Sequence, residues 1–82
     1  MNFDNCTLYY KETCPFCKRV TRFMDNVGVT CEMKDTLVGN NADELMEIGG
    51  KTQVPCMVID GKPMYESMDI INYVKNRVDA EK

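Results

Sequence analysis

The chain contains no histidine. A tetrahedral structural zinc takes four Cys or His ligands, commonly as two closely spaced pairs, and only one C-x-x-C is present, so no metal is expected. Long apolar runs are missing too. Nothing approaches the roughly 18 residues of a membrane span, and Met1-Asn2-Phe3-Asp4-Asn5 has no basic stretch leading into an apolar one. The expectation is a cytoplasmic protein without membrane contact. Nor is there an excess of positive charge: a net charge of −3 leaves no basic footprint for nucleic acid. Repeats, linkers and low-complexity segments are absent, and 82 residues suffice for one modest core but not for two. Residues 1–82 are therefore expected to form a single domain, working as a monomer.

What is present reads as a folded protein. Hydrophobic residues make up 44% and charged residues 28%, an ordinary globular balance. The five cysteines are odd in number and their intervals form no recognisable disulfide framework. A reduced compartment with one working pair fits them better than a secreted scaffold.

Periodicity orders the elements. Cys6-Thr7-Leu8-Tyr9-Tyr10 is β-branched and aromatic and stops at the polar Lys11-Glu12-Thr13, which predicts a first strand. From Pro15, Val20, Phe23, Met24 and Val27 recur on one helical face, and Gly28 ends that helix. Val29 to Lys34 alternates in period 2 and should lie parallel to the first strand across a right-handed crossover. Asn41 with Glu44 resembles a capping signal for a second helix that Gly49-Gly50 terminates. Cys56 to Ile59 is an apolar strand, Asp60-Gly61 a hairpin turn, and Met64-Tyr65 a short return in which Pro63 suits an edge. Ser67 is placed to cap a last helix with Ile70, Ile71, Val74 and Val78 on one side, before a polar tail from Asp79 to Lys82. The order is βαβαββα.

The pair Cys14-Pro15-Phe16-Cys17 stands where chemistry is expected. Pro15 suits the first helical position, which puts Cys14 at the N-cap and Cys17 one turn inward. A sulfur at the N-cap meets backbone N–H groups and the positive end of the helix dipole, and both favour thiolate. Cys14 is accordingly the expected nucleophile. Cys17, more buried but within disulfide reach, is the expected resolving thiol. Lys11, Lys18, Arg19 and Arg22 flank the pair with only Glu12 opposing them nearby, which offers positive potential to an anionic substrate unless they are simply a solvated face. Cys6, Cys31 and Cys56 fall in predicted strands and read as small core hydrophobes. Cys56 follows Pro55, which leaves open for it the alternative of lying close enough to the site for oxidation.

Three segments, Tyr9-Tyr10-Lys11-Glu12-Thr13-Cys14-Pro15-Phe16-Cys17, Gln53-Val54-Pro55 and Glu66-Ser67-Met68-Asp69-Ile70, strongly resemble the glutaredoxin family in content, order and separation. The resemblance extends from Thr7 to Val78. It implies an α/β thioredoxin fold, a four-stranded mixed sheet flanked by three helices. It also implies a glutathione-dependent thiol-disulfide oxidoreductase that reduces protein disulfides and glutathione mixed disulfides through Cys14 and Cys17. A cis Val54-Pro55 peptide follows from it, with the Val54 backbone pairing to glutathione as cosubstrate. Lys11 would attract the glycyl carboxylate and lower the Cys14 pKa, while Ser67 would receive the γ-glutamyl carboxylate at a helix N-terminus.

Some positions depart from the common pattern. Phe16 replaces a frequent tyrosine, Gln53 stands where threonine is usual, and Met68 occupies the place of a binding aspartate. Glu66-Ser67 instead looks like the form in glutathione-transferase-like glutaredoxins, in which Glu66 would hold the γ-glutamyl ammonium. Phe16, Gln53, Val54, Pro55, Glu66, Ser67 and Lys11 are thus the implied glutathione contacts. Two alternatives remain. One is a glutaredoxin-like electron donor reduced by thioredoxin reductase; the other is an iron-sulfur carrier in which Cys14 and glutathione from two chains hold the cluster.

Overall fold

Proline and glycine set several element boundaries in the computed structural model, which describes residues 1–81. The order is β1 (Asn2–Tyr10), α1 (Pro15–Val27), β2 (Thr30–Asp35), α2 (Asn41–Gly49), β3 (Cys56–Ile59), β4 (Lys62–Met64) and α3 (Ser67–Ala80), the βαβαββα pattern expected from periodicity. Gly28 and Gly50 close α1 and α2 in the left-handed region, at φ 72° and 78°. Asp60 and Gly61 also take positive φ, 52° and 83°, as a two-residue hairpin turn requires.

The four strands form one mixed sheet in the order β2-β1-β3-β4. β1 and β2 are parallel, joined by the α1 crossover, whereas β1–β3 and β3–β4 are antiparallel. Alternation along β1 and β3 separates two apolar layers. Cys6, Leu8 and Met57 face Val20, Met24, Ile70 and Val74 of α1 and α3. Tyr9, Cys56 and Val58 face Leu45 of α2 on the other side. Because β3 is buried on both faces, its sequence is continuously apolar rather than alternating. Leu8, Val20, Leu45, Ile70 and Val74 are fully buried, and each contributes about 1.5–3 kcal/mol through removal from water.

Several boundaries differ from expectation. β1 begins at Asn2 rather than Cys6, because an irregularity between Asn2 and Thr7 breaks its alternation and puts Phe3 on the same side as Cys6. β2 is shifted by one residue, with Val29 donating its N–H to the Met24 carbonyl at 2.8 Å as part of the α1 terminus. Asn40, not Asn41, is the α2 N-cap, and the Asn41 side chain donates to the Asp35 carbonyl at 2.9 Å. β4 ends at Met64, leaving Tyr65 outside it, and Pro63 lies on the edge strand as expected. Glu66 rather than Ser67 is the α3 N-cap, so Ser67 is the first helical residue. The expected polar tail is helical through Ala80, and its final residue, Lys82, lies outside the described residues.

Candidate active site

The first turn of α1 meets the loop before β3 and the start of α3 at one end of the central strands β1 and β3. Cys14 is the α1 N-cap, with extended backbone (φ −87°, ψ 118°), and Pro15 follows it in the first turn. The Cys14 N–H donates to the Lys11 carbonyl at 3.1 Å, and its own carbonyl accepts the Lys18 N–H at 3.1 Å. These bonds fix the sulfur at the helix entrance.

All five cysteines are free thiols here. Partial burial alone would raise the Cys14 pKa. The amide of Cys17, the Cys17 thiol, the amide of Phe16 and the charge of Lys11 together outweigh burial and hold it below the ordinary value. No tight cap hydrogen bond closes on the sulfur, so the two amides act on it as oriented dipoles at the helix end. Cys17 behaves oppositely. Burial pushes its thiol up to about 11, and the neighbouring Cys14 sulfur adds to the rise against the opposing Lys11 amide and charge. One partially exposed thiol that ionises easily thus sits beside a buried one that does not.

The Val54–Pro55 peptide is cis, and the Val54 carbonyl oxygen lies 4.0 Å from the Cys14 sulfur. Beside it opens a groove of about 150 Å³ lined by Phe16, Gln53, Val54, Pro55, Tyr65, Glu66 and Ser67. Six residues singled out in the sequence therefore share one concave surface. Lys11 does not line it; Lys11 borders a second cleft of about 220 Å³ with Tyr10, Glu12, Cys17, Lys18, Thr21 and Met33. A third depression, along β2 and the far part of α1, is remote from Cys14, Phe16 and Ser67 in its lining and contains Cys31.

Tyr65 was not among the sequence-derived site residues. Its hydroxyl donates to the Lys51 carbonyl at 3.1 Å, and the Lys51 ammonium lies 4.4 Å from its ring centroid. The available signal was an aromatic residue directly before Glu66-Ser67, together with a glycine pair ending α2. Cys56 is a core residue, as expected: it is fully buried against Tyr9, Leu45 and Val58, which shields its thiol from oxidants and removes the alternative of oxidation at the site. Among the described residues no helix is long and apolar enough to cross a membrane.

The fold is thioredoxin-like, and comparison with known proteins carries the assignment further. Residues 8–82 match the family model described as glutathione S-transferase, N-terminal domain. Glutaredoxin 3 of Escherichia coli (strain K12) is 35% identical over 60 residues, covering 71% of each chain. The chain belongs to the glutaredoxin family. Among solved structures, wheat glutaredoxin superposes with a TM-score of 0.67 at 24% identity, over 87% of this chain and 71% of that one. A rice glutathione transferase in complex with glutathione superposes with a TM-score of 0.75 at 24% identity, over 90% of this chain. The chain spans 34% of the length of that transferase.

Proposed function

We propose that this protein is a glutathione-dependent thiol-disulfide oxidoreductase with Cys14 as nucleophile. The observation that carries the reading is the groove of Phe16, Gln53, Val54, Pro55, Tyr65, Glu66 and Ser67 opening beside a thiol whose pKa is held down. Glutathione bears carboxylates, an ammonium and amides. The backbone of Val54 offers strand-like pairing for the peptide, the α3 N-terminus at Ser67 favours the γ-glutamyl carboxylate, and Glu66 complements the ammonium. Lys11 lies toward the other side of the Cys pair and supplies long-range attraction to the glycyl carboxylate.

In the first step the Cys14 thiolate attacks the glutathione sulfur of a mixed disulfide. A Cys14–glutathione disulfide forms as the original S–S bond breaks, and the protein thiolate leaves. A second glutathione thiolate then attacks the glutathione sulfur of that intermediate, releasing Cys14 as thiolate and glutathione disulfide as the oxidised product. For a protein disulfide, Cys14 forms the mixed intermediate and Cys17 resolves it, giving up its proton and leaving a Cys14–Cys17 disulfide for two glutathiones to reduce. The chain works in this reading as a single-domain monomer in the reducing cytoplasm.

The test is turnover of a glutathione mixed disulfide with glutathione and glutathione reductase, then with thioredoxin reductase, for wild type, Cys14→Ser and Cys17→Ser. Activity with glutathione that vanishes in Cys14→Ser supports the reading. Activity surviving loss of Cys14, or turnover with thioredoxin reductase only, overturns it. A brown cluster-bearing dimer without reductase activity after anaerobic purification points to the carrier alternative.

A further inference from the structure

Helix α1 carries its charges the wrong way round for its own stability. No acidic residue occupies its first turn and no basic one its last; Lys18 and Arg19 lie in its N-terminal half, Arg22 just past its midpoint and Asp25 near its C-terminus. The helix dipole favours the reverse arrangement. The other helices follow that preference, with Asp43 and Glu44 in the first turn of α2, Asp69 in the first turn of α3 and Arg77 in its last. A local conflict of this kind in an otherwise consistent structure points to function.

The cations are also uncommitted. The ion pairs among the described residues are Lys34–Glu44 and Arg77–Glu81, and neither uses Lys11, Lys18, Arg19 or Arg22. Arg19 instead lies 5.8 Å from the ring centroid of Phe16, the exposed aromatic at the groove. Lys18 shares the cleft beside Cys17 with Lys11. Lys11 is the cation that lowers the Cys14 pKa, and Lys18, Arg19 and Arg22 extend the positive charge further along α1. Residues 11–22 hold four cations and one carboxylate, Glu12, although the whole chain carries −3. The molecule is thus polarised, positive around the reacting thiol and acidic elsewhere.

We propose that Lys18, Arg19 and Arg22 form a docking face for protein substrates that carry acidic residues next to their reacting cysteine. This rests on the glutathione-dependent reading and names its substrate class. A short acidic segment fits better than nucleic acid, since the acidic remainder of the surface repels an extended polyanion. The face steers such substrates toward Cys14 and raises their capture rate, an effect that fades once salt shortens the screening length.

Two glutathionylated peptides, identical except for glutamates or lysines flanking the modified cysteine, provide the test. Wild type is expected to favour the acidic peptide by about ten-fold in kcat/KM at low salt, with near parity at roughly 0.5 M salt. Lys18→Glu/Arg22→Glu should abolish or invert that preference while leaving turnover of bis(2-hydroxyethyl) disulfide within about two-fold. Its thermal midpoint should change little, because both side chains are exposed on the helix surface. Equal use of both peptides by wild type, or a preference that survives in the variant, overturns the docking face alone. No turnover of either peptide fails the glutathione reading beneath it. Salt-sensitive binding of a single-stranded oligonucleotide with no peptide preference assigns the face to nucleic acid and likewise overturns the proposal.

Discussion

Gly49 and Tyr65 compete for the same space: a Cβ on Gly49 would overlap the Tyr65 hydroxyl oxygen and come within 2.7 Å of its Cζ. The absence of a side chain at Gly49 lets the phenol reach the Lys51 carbonyl, 3.1 Å away. Tyr65 thereby ties the end of α2 to the loop that presents Gln53 and Val54, and it forms part of the groove wall itself.

Gly49→Ala should therefore act at a distance by displacing the phenol. The expected result is a KM for glutathione raised about three- to ten-fold with kcat little changed, since binding is lost equally in ground and transition states. Tyr65→Phe keeps the ring and removes one hydrogen bond of about 0.5–1.5 kcal/mol, so it should give a smaller rise of the same kind. Steady-state kinetics of both variants check this; a KM unchanged in each would rule out a positioning role for Tyr65.

Cys14 governs the pH dependence of the first chemical step. Its thiol pKa lies below the ordinary 9.0, so the thiolate fraction rises as pH increases through that lowered value and is then saturated. Alkylation of Cys14 by iodoacetamide should follow a single titration below 9.0 and level off, with Cys17 unlabelled over the same range. Lys11→Ala should move the midpoint upward because the cation that favours thiolate is removed. A Cys14 midpoint at the ordinary value would contradict the electrostatic account.

How much of this was legible in the sequence depended on whether the deciding interaction was local. Pro15 and Gly28 bracket α1, so the N-cap placement of Cys14 was readable, as was the Asp60-Gly61 turn. The first residues of β1 were not, because pairing of Asn2 with Thr30 is long-range and the irregularity before Thr7 hides the alternation. Glu66 and Ser67 are adjacent polar residues at a helix start, so the sequence does not separate them as caps; in the structure Glu66 is the N-cap. Tyr65 stood next to Glu66-Ser67, but its role comes from long-range contact with Gly49 and Lys51, which no periodicity encodes.

Arg77 links the beginning of β1 to the end of α3. Its guanidinium carbon lies 3.9 Å from the Phe3 ring centroid, and Nη1 donates to Asn5 Oδ1 at 2.7 Å and to the Tyr73 hydroxyl at 3.1 Å. Stacking and planar donor geometry are properties a lysine lacks. Arg77→Ala should cost about 1–2 kcal/mol, given partial solvent exposure, and Arg77→Lys should recover little of it. Urea midpoints of the three proteins measure the difference, and full recovery by lysine would show that charge alone matters.

Cys17 should be dispensable for one activity and needed for the other. In the proposed cycle glutathione regenerates Cys14 directly from its mixed disulfide, whereas release of a protein disulfide substrate requires the second thiol. Cys17→Ser is expected to retain most turnover of glutathionylated peptide and to lose about ten-fold or more in protein disulfide reduction. Parallel assays on the two substrate types check the split; equal losses on both would make Cys17 part of the common step.

The same buried thiol sets an alkaline limit on stability. Unfolded, Cys17 titrates near 9.0; folded, it is held at about 11. Below pH 9 both states are protonated and the fold keeps its full stability. As pH rises from 9 to 11 the unfolded chain ionises while the folded one does not, so stability falls and then levels above 11. Cys17 alone should account for about 1–3 kcal/mol of that loss. Cys31, likewise pushed up to about 11 by burial, contributes with the same sign. Under reducing conditions, the drop in urea midpoint between pH 8 and pH 10.5 should be smaller in Cys17→Ser than in wild type, because serine carries no charge at either pH. An equal drop in the two proteins would show that Cys17 is not held protonated by the fold.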